Sequence, residues 1–208
     1  MITLFIDTSS ADVSIAVLED GKILSSISKS IPNQHSIYTV SFLEQVLKEA
    51  TITPESVNKI MVVVGPGSFT GVRIGVTIAK VYAYLENIEI IAVSSLKMLA
   101  LSASNSQYYL SLIDARHDHY YIGLYDQDYQ KVIPEQFNTK EKVLELIEKY
   151  HPMIISNEEI QIDDYSILKQ VLDFSKIVSY YQDKESMNPH FVVPNYLKLP
   201  QALEEKHD

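Results

Sequence analysis

Cysteine is absent from this 208-residue chain, which excludes disulfides, thiolate nucleophiles and Cys-ligated zinc. Basic residues are short in supply: 17 Lys and Arg stand against 27 Asp and Glu, a formal net charge of −10, with no Lys/Arg run. Phosphate contacts need clustered cations, so the chain by itself is a poor binder of nucleic acid. No apolar stretch reaches the roughly 18–20 residues needed to cross a bilayer. The N-terminal MITLFIDTSS has neither the basic nor the apolar segment of a signal peptide. A cytoplasmic location with no membrane partner is expected. Glycine is scarce as well: of six, four fall in 65-GPGSFTGVRIG-75, and none follows Gly123.

What is present is the composition of an ordinary globular chain, 46% hydrophobic and 21% charged, long enough for two lobes. The first thirty residues predict three strands (3–7, 12–20, 22–30) joined by TSSA and DG turns. Ile37, Val40, Leu43, Val46 and Leu47 then recur at helical spacing over 35–50. The run 60–64, IMVVV, reads as a strand buried on both faces. A helix over 71–86, a strand over 88–93 and a serine-capped helix over 94–104 follow. After the polar linker Ser102–Ser106 the pattern restarts with strands at 108–115, 119–126 and 131–137. A helix at 139–150 and a short strand at 153–156 follow, and 164–173 is predicted helical. Of 14 tyrosines, 3 precede residue 100 and 11 follow it, which separates the halves.

Two successive units of three strands, helix and strand predict a duplicated α/β architecture. Two ribonuclease-H-like lobes in tandem, with mixed sheets flanked by helices, are the layout of the actin-like, sugar-kinase-like and Hsp70-like (ASKHA) group. A single mixed α/β domain is the alternative. The expected lobes are 1–104, completed by the C-terminal tail, and a more divergent 105–208.

The chemistry of a kinase of this architecture needs a loop for metal and phosphates after the first strand. Asp7, Thr8 and Ser9 occupy that place, and an Asx-type turn joining two strands is their simpler reading. Such an enzyme also needs a glycine-rich adenosine loop in its second lobe, where this chain has no glycine beyond Gly123. The glycines at 65, 67, 71 and 75 fit neither the dinucleotide G-x-G-x-x-G nor a Walker A loop. An anion site on Gly65, Gly67 and Ser68 at the start of the second helix is therefore a minor reading. The six histidines form no H-x-x-x-H pair, and Asp114, His117 and His119 read as a polar hairpin tip rather than a metal site. No catalytic residue and no resident cofactor or metal is assigned.

The helix over 71–86 is apolar nearly all round, with Arg73, Thr77 and Lys80 as its polar stripe. Gly71, Gly75, Ala79 and Ala83 recur every four residues and predict a smooth ridge admitting close backbone approach. Tight packing on the chain's own sheet and contact with a partner subunit both account for such a ridge. On the second reading the interface comprises Gly71, Val72, Arg73, Gly75, Val76, Ala79, Lys80 and Ala83, with Tyr38 and Phe42 from the preceding helix.

DTSS after the first strand, GPGSFTGVRIG, IDAR at 113–116, His35 and the terminal P-x-Y-L together resemble the bacterial TsaB (YeaZ) family, in the right order along nearly the whole chain. The resemblance implies a non-catalytic subunit in making threonylcarbamoyladenosine at position 37 of tRNAs that read ANN codons. It implies pairing with a TsaD-like transferase paralogue and a TsaE-like ATPase. A homodimer is implied when the chain is alone, with tRNA met only within the complex; whether a nucleotide occupies a subunit interface is left open. In that family the helices matching 35–50 and 71–86 form the interface. This chain departs from the pattern at His119, where relatives have an acid, at Lys198, where they have Arg, and in lacking glycine near 156–160. An actin-like ATPase or metal-dependent transferase using Asp7 and Asp114 is the alternative from another class.

Overall fold

The computed structural model describes residues 1–198. Its first lobe begins with β1 (Ile2–Asp7), β2 (Asp12–Glu19) and β3 (Lys22–Ser30) as an antiparallel meander. Helix α1 (His35–Ala50) leads to β4 (Lys59–Gly65), and α2 (Phe69–Glu86) leads to β5 (Ile90–Ser94), each strand parallel to its neighbour. The sheet order is β3-β2-β1-β4-β5. β1 and β4 are buried on both faces because helices cover both sides, which is why they read as unbroken apolar runs.

Helix α3 (Ser95–Ser102) follows, capped by Ser94 Oγ on the Lys97 N–H, and joins the sheets. The second sheet repeats the first: β6 (Tyr108–Asp114), β7 (His119–Asp126) and β8 (Lys131–Thr139) form a meander. Helix α4 (Lys140–Tyr150) then leads to β9 (Met153–Ser156), parallel to β6. Its order β8-β7-β6-β9-β10 is that of the first sheet, position for position. This is the tandem actin-like architecture.

The fifth strand of the second sheet, β10 (Ile167–Lys169), corrects the helix expected over 164–173. Ile167, Leu168, Val171 and Leu172 have helical spacing, but β9 offers a free parallel edge. β10 pairs with it, and Gln170 N–H continues the ladder to the Ser156 carbonyl at 2.8 Å. Periodicity also passed over α5 (Phe174–Tyr181), capped by the Asp173 side chain on the Lys176 N–H.

Helices α1 and α2 share one face of the first sheet, where Phe42, Leu43, Val46, Val72, Val76, Ala79 and Ala83 join the core. The opposite face is covered by α3 and α5, through Met98, Leu101, Phe174, Ile177 and Val178 against Phe5, Leu18 and Met61. Leu96, Leu99 and Ala100 of α3 also pack on Tyr109, Ile113 and Tyr125 of the second sheet. The remaining face of that sheet is closed by α4. After α5 the chain stays on the first lobe: Met187 bridges Ile90, Val192 enters the first core, and Asn195 N–H donates to the Val64 carbonyl at 2.7 Å.

Candidate functional site

The glycine motif and the DTSS loop form one assembly. Thr8 is fully buried, and its hydroxyl donates to the Gly71 carbonyl at 2.7 Å while accepting from the Gly75 N–H at 3.1 Å. It thus bridges an i, i+4 backbone pair of the first turns of α2. A Cβ on Gly71 would lie 2.1 Å from the Thr8 carbonyl oxygen, and one on Gly75 would lie 2.3 Å from Thr8 Oγ1. On Gly67 it would lie 2.3 Å from the Ser9 carbonyl oxygen. These glycines are bare because the β1–β2 loop lies directly against the backbone of α2.

That arrangement corrects the small-residue ridge as a partner surface. Gly71, Val72, Gly75, Val76, Ala79 and Ala83 all face the chain's own sheet and are buried, and Phe42 is buried with them. The face of α2 turned outward instead carries Arg73, Thr77, Val81 (55% exposed), Tyr84 (67%) and Leu85 (72%). On α1, Ile37 (64%), Val40 and Tyr38 are exposed, with Tyr38 stacked on Phe42 at 5.7 Å. Lys80 is half-buried and donates to the His190 and Val192 carbonyls at 3.3 and 2.9 Å, so it straps the C-terminal segment to α2. Periodicity located the helix correctly but could not say which side of an apolar cylinder meets the sheet.

As an anion cradle the loop is largely occupied by its own chain. Ser68 N–H donates to the Ser9 carbonyl at 2.7 Å, and Gly71 N–H donates to the Ser68 side chain at 3.2 Å. Two amides aimed outward in a phosphate loop are therefore taken. Gly65, at φ 104°, is in the left-handed region that favours glycine. Asp7 is 2% exposed and accepts from the Ser9 N–H at 2.8 Å. Burial outweighs that hydrogen bond and pushes its carboxyl above the ordinary Asp value. Asp7 therefore forms the Asx turn that was the simpler reading of its sequence.

The two lobes enclose a cleft of about 880 Å³. Ser9, Gly67, Ser68 and Phe69 line it from the first lobe, and Asp114, Arg116, His117, Tyr121 and Glu158 from the second. The Asp114 N–H donates to Glu158 Oε2 at 3.1 Å, and burial raises the Glu158 carboxyl. At the β6–β7 tip, Arg116, His117 and Asp118 all have positive φ, between 54° and 67°. His119 turns its Nδ1 to the His117 carbonyl at 2.6 Å and stacks on Phe137 at 4.9 Å. Asp114, His117 and His119 do not converge, and among the described residues no group of three His, Asp or Glu side chains could hold a metal.

At the lobe junction sits a group that sequence reading missed. Lys97 of α3 is buried, donates to the Tyr129 carbonyl, and lies 4.3 Å over the Tyr125 ring and 5.2 Å over that of Tyr180. Burial, with Lys131 nearby, pushes its ammonium down to about 8 against the partial support of Glu135 and Asp126. Lys176 of α5 clasps the same turn, donating to the Ala103 carbonyl at 2.8 Å and to the Tyr129 hydroxyl. The lone lysine in the apolar run SLKMLALS was its only signal.

Comparison with known proteins agrees with this architecture. Residues 22–182 match the family model for TsaD, tRNA N6-adenosine threonylcarbamoyltransferase. The tRNA threonylcarbamoyladenosine biosynthesis protein TsaB of Bacillus subtilis (strain 168) is 31% identical, over 97% of this chain and 96% of its own. A TsaB of Buchnera aphidicola subsp. Schizaphis graminum is 36% identical over 49% of this chain and 48% of its own. The solved structure of YeaZ from Pseudomonas aeruginosa superposes with a TM-score of 0.80 at 25% identity, covering 94% of this chain and 99% of that one. The identity along nearly the full length and the shared two-lobed structure make this chain a member of the TsaB (YeaZ) family, within the TsaD-like fold.

Proposed function

We propose that this chain is a supporting, non-catalytic subunit in the synthesis of threonylcarbamoyladenosine at position 37 of ANN-decoding tRNAs, working in the cytoplasm. Its partners on this reading are a TsaD-like transferase paralogue, docked through α1 and α2, and a TsaE-like ATPase. The observation that carries the docking is the outward face of those two helices, with Ile37, Val40, Val81, Tyr84 and Leu85 exposed in a chain of net charge −10. Large apolar side chains collected on one side of a soluble fold mark a surface that a partner covers. The buried Asp7, the internally bonded amides of the Gly67–Gly71 loop and the lack of a second-lobe glycine after Gly123 support a subunit role. When the transferase is absent, the same face would pair with a second copy, and a nucleotide would lie at the subunit interface rather than on Asp7.

The test is a pair of charge substitutions on the outward stripe, Val81→Asp and Tyr84→Asp, neither of which reaches the core. Both should leave the melting temperature nearly unchanged and abolish co-elution with the transferase, an interface of this kind losing about 2 kcal/mol or more per central site. Wild-type co-elution would exclude the assigned face.

A further inference from the structure

The interlobe cleft carries a feature that docking through α1 and α2 does not use. A cation-clad aromatic ring lies on each side of the cleft: Phe69 in the lining itself, and Phe137 against the lining residues Tyr121 and Lys198. On the first lobe the Arg73 guanidinium lies 3.7 Å over Phe69 and its Nε donates to the Tyr196 hydroxyl at 2.7 Å, with Phe69 and Tyr196 in contact at 5.2 Å. On the second lobe Lys198 lies 4.9 Å over Phe137, whose ring also meets His119 and Tyr121. Phe69, Tyr196, Tyr121 and Lys198 all line the same cleft. Its volume of about 880 Å³ lies within the ~300–1,000 Å³ of small-molecule sites.

The charge arrangement selects among occupants. The lining mixes the cations Arg116 and Lys198 with the carboxylates Asp114, Glu158 and Glu159. A phosphate alone would meet those carboxylates as well as the cations. A planar ring carrying an amino group suits the mixture: it stacks on the aromatic side chains and donates to the carboxylates. Aromatic rings flanked by Arg and Lys are the means by which proteins hold unpaired bases.

We infer that the mouth of the interlobe cleft seats one unpaired, amino-bearing base of RNA, with the flanking phosphates on Arg116 and Lys198. The inference rests on the proposed role in tRNA modification, because a chain of net charge −10 holds tRNA only as part of a larger assembly. The strained Arg116–Asp118 turn fits this task, since it fixes Arg116 and His117 in the lining without glycine.

The experiment uses an unmodified ANN-decoding tRNA transcript, bound to the complex of this chain with its transferase and irradiated at short ultraviolet wavelength. Adducts are expected on Phe69, Tyr121 or Tyr196. Tyr121→Ala should weaken tRNA binding about 5- to 100-fold without altering co-elution with the transferase. Arg116→Ala and Lys198→Ala should each lower the slope of log affinity against log salt by about 1. If tRNA binds but no adduct falls in the cleft and Tyr121→Ala stays within twofold, the inference is overturned while the subunit role stands. If the complex itself does not form, the subunit role falls and this inference, which rests on it, falls with it. Adducts formed with AMP but not with the transcript would assign the cleft to a free nucleotide and overturn the RNA assignment.

Discussion

Thr8 shows how much of a motif's meaning can sit in one side chain. Its hydroxyl joins the Gly71 carbonyl to the Gly75 N–H; Gly75 lacks the atom that would strike that hydroxyl, and Gly71 the one that would strike the Thr8 carbonyl. Gly75→Ala should therefore cost about 1–3 kcal/mol in urea denaturation, as overpacking of a rigid contact does. Thr8→Val keeps the shape and strands a buried carbonyl, for about 1–3 kcal/mol. Asp7 has the opposite sign. Its folded pKa is raised by burial, so its protonated form fits best. That contribution is complete below its unfolded value of 3.8 and is lost as pH rises through the folded one. Asp7→Asn should raise the melting temperature at pH 7 by about 2–4 °C, roughly 1 kcal/mol, with the gain vanishing on acidification. Lys97 behaves as a buried base: its pKa falls to about 8 from 10.5. The unfolded chain binds more protons between those values, so stability should rise from pH 8 towards 10.5 in wild type. Lys97→Met should flatten that slope.

At the scale of elements, α2 is the informative case. Its presence and its apolar character were legible because both are local, whereas its start at Phe69 behind the Ser68 cap was not read. Nor was its orientation. A cylinder apolar on every side has two equivalent readings until the sheet claims one, and Gly71, Gly75, Ala79 and Ala83 went to the sheet. Ala79→Leu should consequently disturb the core, lowering stability by about 1–3 kcal/mol, rather than block a partner selectively. A melting curve beside a co-elution assay separates the two. The segment 164–173 failed for the converse reason. Its spacing was helical, but β9 presented an unpaired edge, and a three-residue strand completed it.

For the molecule as a whole, the two sheets share one strand order, and the chain does not divide cleanly where the pattern restarts. Phe174, Ile177 and Val178 of α5 cover Phe5, Leu18 and Met61, and Val192 closes the other core of the first lobe. A fragment ending at residue 104 should remain unfolded or aggregate, because both faces of its sheet lose covering side chains. Supplying residues 172–198 in the same chain through a short linker should restore a cooperative transition by circular dichroism. Independent folding of 1–104 would contradict this coupling. Lys97 and Lys176 fasten the same junction from α3 and α5, so it is polar as well as apolar.

The sequence by itself determined the duplicated strand–helix pattern, the absence of cysteine chemistry and the identity of nearly every element, because each depends on residues adjacent in the chain. Only the tertiary structure decided what the glycine motif serves. The Thr8 loop is more than sixty residues from Gly75, and no local pattern records that a hydroxyl will lie between two turns of a helix. The aromatic and cationic side chains around the cleft were hidden in the same way. Phe69, Arg73, Tyr121, Phe137, Tyr196 and Lys198 are brought together by two sheets and a returning tail, since burial of the apolar faces fixes where those elements must meet.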